Sequence, residues 1–167
     1  GSSSVKTFNI STAASFVVAG AGLVVAKHTS RGVTSKLGSA DALSALGVRI
    51  SGEMNLAQAC INGAGLGFLF APTFHPKLRR VADIRKNLGI RTTLNLLGAL
   101  SNPAHAPFQL LGVWHRSLVE PMAQALALLG VQKAWVVHGA DGLDEITIAG
   151  PTLVAEVNKN KIRKFEL

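Results

Sequence analysis

The sequence has no tyrosine, one cysteine, and nine acidic residues against 17 basic ones. Each shortage excludes something. A lone thiol, Cys60, rules out an internal disulfide and fits a reducing, cytoplasmic setting. Its neighbours Gln58-Ala59 and Ile61-Asn62 offer no activating group, so a buried structural thiol is expected. Aromatic residues amount to 5%, which leaves the basic segments Lys77-Leu78-Arg79-Arg80 and Lys159–Lys164 without stacking partners. Nucleic acid is therefore not the favoured ligand. Charged residues amount to 16%, against about 25% in ordinary soluble domains. Such a surface is expected to be covered by other protein, a homo-oligomer being one way to cover it. The histidines at 28, 75, 105, 115 and 138 are too scattered to suggest a histidine metal site.

What is abundant is apolar and basic. Hydrophobic residues make up 48% of 167 residues, enough for a substantial core, and the net charge is +8. That charge favours anionic partners: phosphorylated metabolites, polyanions or acidic membranes. Thr7–Ala26 carries no charge, and Ala19-Gly20-Ala21 imitates a signal-peptidase site. Asn9, Ser11, Thr12 and Ser15 are too polar for a signal core, and Gly20 and Gly22 weaken a spanning helix. The segment reads as a buried helix and strand, with no membrane role.

The serine-rich Gly1–Lys6 is expected to be flexible, and 7–167 to form part of one α/β domain. Ser11 or Thr12 is the natural N-cap of a helix over Ala13–Ala21. Leu23–Ala26 predicts a strand buried on both faces. Ser39–Leu46 predicts a helix stopped by Gly47, and Leu56–Ile61 another; Leu66–Phe70 predicts a second buried strand. Lys77–Leu88 is amphipathic, and Thr92–Asn102 is ambiguous. Phe108–Trp114 and Lys133–His138 read as strands around a helix Ser117–Leu129 capped by Ser117. Val154–Val157 and Lys161–Leu167 flank the turn Asn158-Lys159-Asn160, a hairpin signal. Strands alternating with helices imply an α/β fold, with a largely parallel sheet flanked by helices and ending in an antiparallel hairpin.

The stretch with most chemistry is Lys27–Asp41. It places Lys27, Arg31 and Lys36 among hydroxyls and two glycines, between an apolar run and a helix. Such a strand-to-helix loop can hold an anion, although a solvated basic turn explains the spacing equally well. Asn9, Ser11 and Thr12 open a helix and could grip a phosphate or simply cap. Asp144 and Glu145 follow the strand ending at His138. They are adjacent hard oxygen donors suited to magnesium shared with phosphates, or ordinary loop acids. Arg85 reads as a residue on the solvated face of its helix.

Lys27-His28, Ser35-Lys36 and Gly38-Ser39-Ala40-Asp41 resemble the Lys-His-Gly-Asn-Arg … Ser-Lys-Ser-Gly-Ser-Ala-Asp signature of the anthranilate phosphoribosyltransferase family. Thr7-Phe8-Asn9-Ile10-Ser11-Thr12, Phe74-His75-Pro76, Arg85–Thr92, Asn95–Gly98, Asn102-Pro103-Ala104, His138-Gly139 and Asp141–Glu145 extend the resemblance from about Thr7 to Leu167. It implies the nucleoside phosphorylase/phosphoribosyltransferase α/β domain. The implied reaction is transfer of phosphoribosyl from phosphoribosyl pyrophosphate to anthranilate, a step of tryptophan biosynthesis. It also implies roles: Asn9, Ser11, Thr12, Lys27 and Ser39 on the donor, His28 and Arg85 on anthranilate, and Asp144 and Glu145 on magnesium. No protein nucleophile is implied.

The departures are local. Thr29 and Ser30 stand where the family has Gly-Asn, Leu37 where it has serine, and Ala99 where it has proline. They loosen the acceptor's identity more than the donor's. Gly1–Lys6 does not supply the family's Gly-Thr-Gly-Gly-Asp pyrophosphate loop. Its N-terminal helical domain and the C-terminal part of its α/β domain have no counterpart, so a weak enzyme or none is expected. Two alternatives remain. Lys27–Gly32 also fits the Lys-x-x-x-Arg-Gly run of a pyrimidine nucleoside phosphorylase-like enzyme, and the charge fits a non-catalytic binder of polyanions or nucleic acid.

Overall fold

The computed structural model describes residues 8–32, 38–50, 52–81, 84, 87, 89–90 and 92–167. The chain divides into two compact units: Asn9–Ala104, and His105–Leu167 together with Phe8.

The first unit is built on two parallel strands, β1 (Val25–Thr29) and β2 (Leu66–Phe70), in register from Val25↔Leu66 to Thr29↔Phe70. Around them stand α1 (Ile10–Gly20), α2 (Ser39–Ala45), α3 (Met54–Ala64), the single turns α4 (Ala71–Phe74) and α5 (Pro76–Arg79), and α6 (Thr93–Leu100). Gly65 adopts a left-handed conformation that ends α3 and turns the chain into β2. Gly67 keeps that packing close: a Cβ there would meet Ile61 Cγ1 at 2.5 Å. Leu43, Ala40, Ala57 and Leu69 are buried, as is Thr29, whose hydroxyl donates to the Leu69 carbonyl at 3.3 Å. The ambiguous segment after Thr92 is helical because Asn95 Oδ1 accepts the Thr92 N–H at 3.0 Å, closing a cap.

Several local expectations need correction here. α1 starts at Ile10, and neither Ser11 nor Thr12 caps it; Asn9 flanks it without a side-chain cap bond. β1 is shifted two residues on, leaving Leu23 and Val24 exposed. Its position is set by pairing with β2, which an apolar run alone does not reveal. Phe16, Val17 and Val18 of α1 are exposed as well, so the uncharged segment is buried only in part, at Thr12 and Ser15 of α1. Cys60 is exposed too. It lines a cavity of about 440 Å³ with Phe16, Ala57, Leu66 and Phe68. The helix expected over Lys77–Leu88 is interrupted: α5 ends at Arg79, a turn follows at Arg80 and Val81, and Ile84 and Asn87 are again helical, with Ile84, expected on the apolar face, exposed.

The second unit is a four-stranded sheet in the order β3 (Phe108–Gly112), β4 (Lys133–Gly139), β5 (Thr152–Asn158), β6 (Lys161–Glu166). β3 and β4 are parallel; β5 and β6 run antiparallel to their neighbours, closing the expected hairpin. Helix α7 (Val119–Leu128) packs on β4 and β5. Its buried residues Val119, Met122, Ala123 and Leu126 follow the i, i+3, i+4, i+7 stripe of an amphipathic helix. Burying Leu126 alone stabilises the fold by about 1.5–3 kcal/mol. Ser117 does not cap this helix. A 3₁₀ turn, Arg116–Leu118, precedes it, and His115 Nδ1 accepts the Ser117 N–H at 3.2 Å. Among the described residues no helix is long and apolar enough to cross a membrane.

Candidate functional site

Two loops at strand ends carry most of the polar chemistry. In the first unit, β1 delivers Lys27 and His28. Lys27 Nζ donates to Ser11 Oγ at 3.1 Å, joining β1 to the first turn of α1. Asn9 sits just before that turn, and its carbonyl accepts the Thr12 and Ala13 N–H groups. Thr12 is buried, and its Oγ1 has no hydrogen-bond partner among the described residues.

His28 Nδ1 lies 2.7 Å from the Gly98 carbonyl. A carbonyl only accepts, so Nδ1 carries the proton and Nε2 the lone pair. That Nε2 is buried and likewise without a partner. The His75 ring meets His28 edge-on, with centroids 5.1 Å apart. Burial pushes the His28 pKa below its ordinary value, and the nearby His75 and Lys27 add to the effect. The Gly98 carbonyl opposes it only in part. His28 is therefore neutral at physiological pH, a hydrogen-bond acceptor at Nε2.

Beyond β1 the chain folds back on itself. Ala40 N donates to the Ser30 carbonyl at 3.1 Å, and Ser39 Oγ accepts the Ser30 N–H at 3.3 Å. Asp41 completes this closure. Its Oδ2 accepts the N–H groups of Gly38 at 2.8 Å and Gly32 at 3.0 Å, and its Oδ1 takes Arg31 Nη1 at 2.9 Å. Those donors, Gly32 first, hold the Asp41 carboxyl below its usual range. Gly38 has no room for a side chain, since a Cβ would overlap the backbone of Ser30, Arg31 and Gly32.

In the second unit, Asp144 and Glu145 lie in the loop after β4. Asp141 organises that loop: Oδ1 accepts the Leu143 N–H at 3.1 Å and Oδ2 the Thr147 hydroxyl at 2.6 Å. The Thr147 bond is the main reason that the Asp141 carboxyl is held below its usual range. Asp144 is nearly buried, and its carbonyl passes directly over Gly112 of β3, where a Cβ would overlap it.

Of the expected site residues, then, Ser11 and Lys27 touch, Asn9 and Thr12 share the same helix start, and Ser39 contacts Ser30. Arg85 and Leu37 lie outside the described residues. Asp144 and Glu145 belong to the other unit. Sequence reasoning missed Asp41 and Asp141 as loop organisers, though an acid three residues past Gly38 and an Asp-Gly after a strand are readable signals. It missed His75 beside His28, for which no local signal exists.

An α/β fold with polar, glycine-dependent loops at strand ends is the kind of domain that binds ligands at those ends. The family described as "Glycosyl transferase family, a/b domain" matches residues 1–167, and the chain belongs to it. Within it, the similarity is to anthranilate phosphoribosyltransferases. The enzyme of Persephonella marina is 52% identical over 167 residues, covering 100% of this chain and 49% of the relative. The crystal structure of the Thermus thermophilus enzyme superposes with a TM-score of 0.89 at 44% identity, over 100% of this chain and 49% of that one. The Saccharomyces cerevisiae enzyme in complex with PRPP and Mg gives a TM-score of 0.86 at 34% identity, over 100% and 46%. The same yeast enzyme has been solved with 4-fluoroanthranilate. The chain spans about half the length of the curated relatives it matches.

Proposed function

We propose that this chain carries the substrate-binding part of an anthranilate phosphoribosyltransferase, forming part of one α/β domain over 7–167. The donor is phosphoribosyl pyrophosphate and the acceptor anthranilate. In the reaction the amine nitrogen bonds to C1 of the ribose while the bond from C1 to pyrophosphate breaks. One amine proton is lost. Asn9, Ser11, Thr12, Lys27 and Ser39 hold the donor; His28 and Arg85 hold the acceptor.

One observation carries this reading. The buried side-chain atoms without a partner among the described residues are Thr12 Oγ1 and His28 Nε2. An unsatisfied buried polar group costs about 1–3 kcal/mol, so such atoms are expected where a ligand completes them. One belongs to the donor set and the other to the acceptor set. A hydroxyl suits a phosphate or ribose oxygen, and a neutral imidazole acceptor suits the N–H of an aromatic amine. Lys27 adds a cation for the leaving charge, and positioning supplies most of the acceleration.

Asp144 and Glu145 are hard oxygen donors that fit magnesium together with pyrophosphate oxygens. The metal would neutralise charge building on the leaving group. Thr29, at a family glycine position, is fully buried and bonded to β2, so it serves packing.

Calorimetric titration with phosphoribosyl pyrophosphate tests the proposal. Saturable binding that weakens at least tenfold when magnesium is chelated is expected. Binding indifferent to magnesium but steeply lost with salt would instead mark a general polyanion binder.

A further inference from the structure

We propose that Asp41 is a positioning residue of the donor site, fixing Ser39 by tying both flanks of the loop between β1 and α2 to one carboxylate. This rests on the donor-site reading above and adds to it a residue that makes no contact with substrate.

The argument is one of capacity. Three N–H donors converge on Asp41: the guanidinium of Arg31 at 2.9 Å, Gly32 N at 3.0 Å and Gly38 N at 2.8 Å. Arg31 and Gly32 lie before the loop's middle and Gly38 after it, so the carboxylate bridges the two flanks. The ionised carboxylate takes both glycine N–H groups on Oδ2 and the guanidinium on Oδ1; an amide in its place keeps one neutral, weaker acceptor for the glycines and turns an N–H₂ toward Arg31. The flanks are pressed together closely enough that Gly38 cannot carry a Cβ. Ser39 sits inside this closure, its Oγ accepting from Ser30 N at 3.3 Å, with Ala40 N on the Ser30 carbonyl at 3.1 Å. Among the described residues the pair Ser30–Ser39 has no other strap of comparable strength. Its own contacts are long or backbone-only, whereas the Asp41 bonds are charge-assisted and short. Removing the charge therefore frees Ser39 without removing any ligand contact.

The experiment compares Asp41→Asn, Asp41→Glu, Ser39→Ala and the double variant Asp41→Asn/Ser39→Ala with the parent chain. Amide hydrogen exchange of the ligand-free proteins reads the tie directly. In Asp41→Asn the Gly32 and Gly38 amides should exchange at least tenfold faster, with the β4–β5 amides unchanged. Calorimetry with phosphoribosyl pyrophosphate and magnesium reads the consequence. Asp41→Asn should weaken affinity about tenfold, Asp41→Glu should restore part of it, and the double variant should bind no more weakly than the worse single one. Such non-additivity marks Asp41 as acting through Ser39. Unchanged exchange in Asp41→Asn overturns the tie. Faster exchange with unchanged affinity overturns the positioning role, as does a double variant whose losses simply add. A parent chain that does not bind the donor overturns the donor-site reading itself, and the positioning role with it; the exchange data then still report whether the tie exists.

Discussion

The loop after β1 and the loop after β4 solve one problem with different parts. Each leaves a parallel strand, each must hold polar side chains in fixed places, and each is gathered by a single aspartate. Asp41 does so with two backbone N–H groups and a guanidinium; Asp141 with one backbone N–H and the Thr147 hydroxyl. Each also needs a glycine where backbone crosses backbone: Gly38 within the first loop, Gly112 beneath the second. The difference lies in the anchoring donor. The first loop's extra anchor is an exposed cation on a flexible stem, and the second's is a short hydroxyl that is itself buried. The first should yield to salt and acid, and the second to the loss of a single oxygen.

The largest effect is expected at the crossings. Gly112→Ala would drive a methyl group into the Asp144 carbonyl, a backbone atom that cannot swing aside. A loss of about 3 kcal/mol or more is expected, at the upper end for overpacking, together with magnesium-dependent donor binding. Gly20→Ala, whose Cβ meets nothing within 4 Å and which lies in α1, should be neutral or stabilising. Chemical denaturation of the three proteins measures this; equal stability of Gly112→Ala and parent would refute the crossing.

Next comes the hydroxyl anchor. Thr147 Oγ1 donates to Asp141 and accepts the Ala149 N–H at 3.0 Å. Thr147→Val keeps the shape and orphans that N–H, costing about 1–2 kcal/mol. It should also raise the Asp141 pKa toward its ordinary value, because the Thr147 bond is the first cause of its depression. A carboxylate titration by NMR that finds Asp141 unmoved would assign the depression to Leu143 N–H instead.

How much of this was legible beforehand depends on what fixes each feature. The α7 stripe and the Lys159-Asn160 hairpin follow from short-range patterns and were readable. The start of β1 was not, because the apolar run Leu23–Ala26 points to an earlier strand than Val25–Thr29, which carries Lys27, His28 and Thr29, and only pairing with β2 selects the later one. Cys60 was misjudged for the same kind of reason: α3 looks apolar, but in this chain only one of its sides is packed. Asn9, Ser11, Thr12, Lys27 and Ser39 are site residues by resemblance, an expectation of the sequence, whereas the unsatisfied Thr12 Oγ1 and His28 Nε2 emerge only from the packing around them. Arg85 lies outside the described residues, so its role stays an expectation of the sequence.

The cation anchor should matter less. Arg31 is two-thirds exposed, so Arg31→Ala is expected to cost under about 1 kcal/mol, and less in high salt. The Asp41 pKa should rise only slightly, since Gly32 and Gly38 N–H groups precede Arg31 among the causes of its depression. The sign of the pH effect follows. Asp41 is depressed in the folded state, so its contribution is complete above the ordinary carboxylate range and is lost as pH falls through its lower folded value. Arg31→Ala should move that acid limb slightly upward in a pH series of thermal midpoints. A downward shift would contradict the ion pair.

A third connection shows what a loop is worth with no side chain to gather it. The β5–β6 turn is two residues long and places Lys159 at φ 47° and Asn160 at φ 66°, both left-handed. The backbone alone shapes it, as a right-twisted hairpin requires, and lysine is a poor residue for that conformation. Lys159→Asn combined with Asn160→Gly installs the favoured pair while preserving the Lys159 N–H, which donates to the Gln132 carbonyl at 2.9 Å. A gain of about 0.5 kcal/mol is expected, seen as a rise of one or two degrees in the thermal midpoint. The same logic runs in reverse in the Asp141 loop, where Gly142 at φ 85° should lose stability on replacement by alanine. If the hairpin variant gains nothing while Gly142→Ala loses, then left-handed backbone is costly only where a side chain also pins the loop, and the two organised loops are stiffer than the free one.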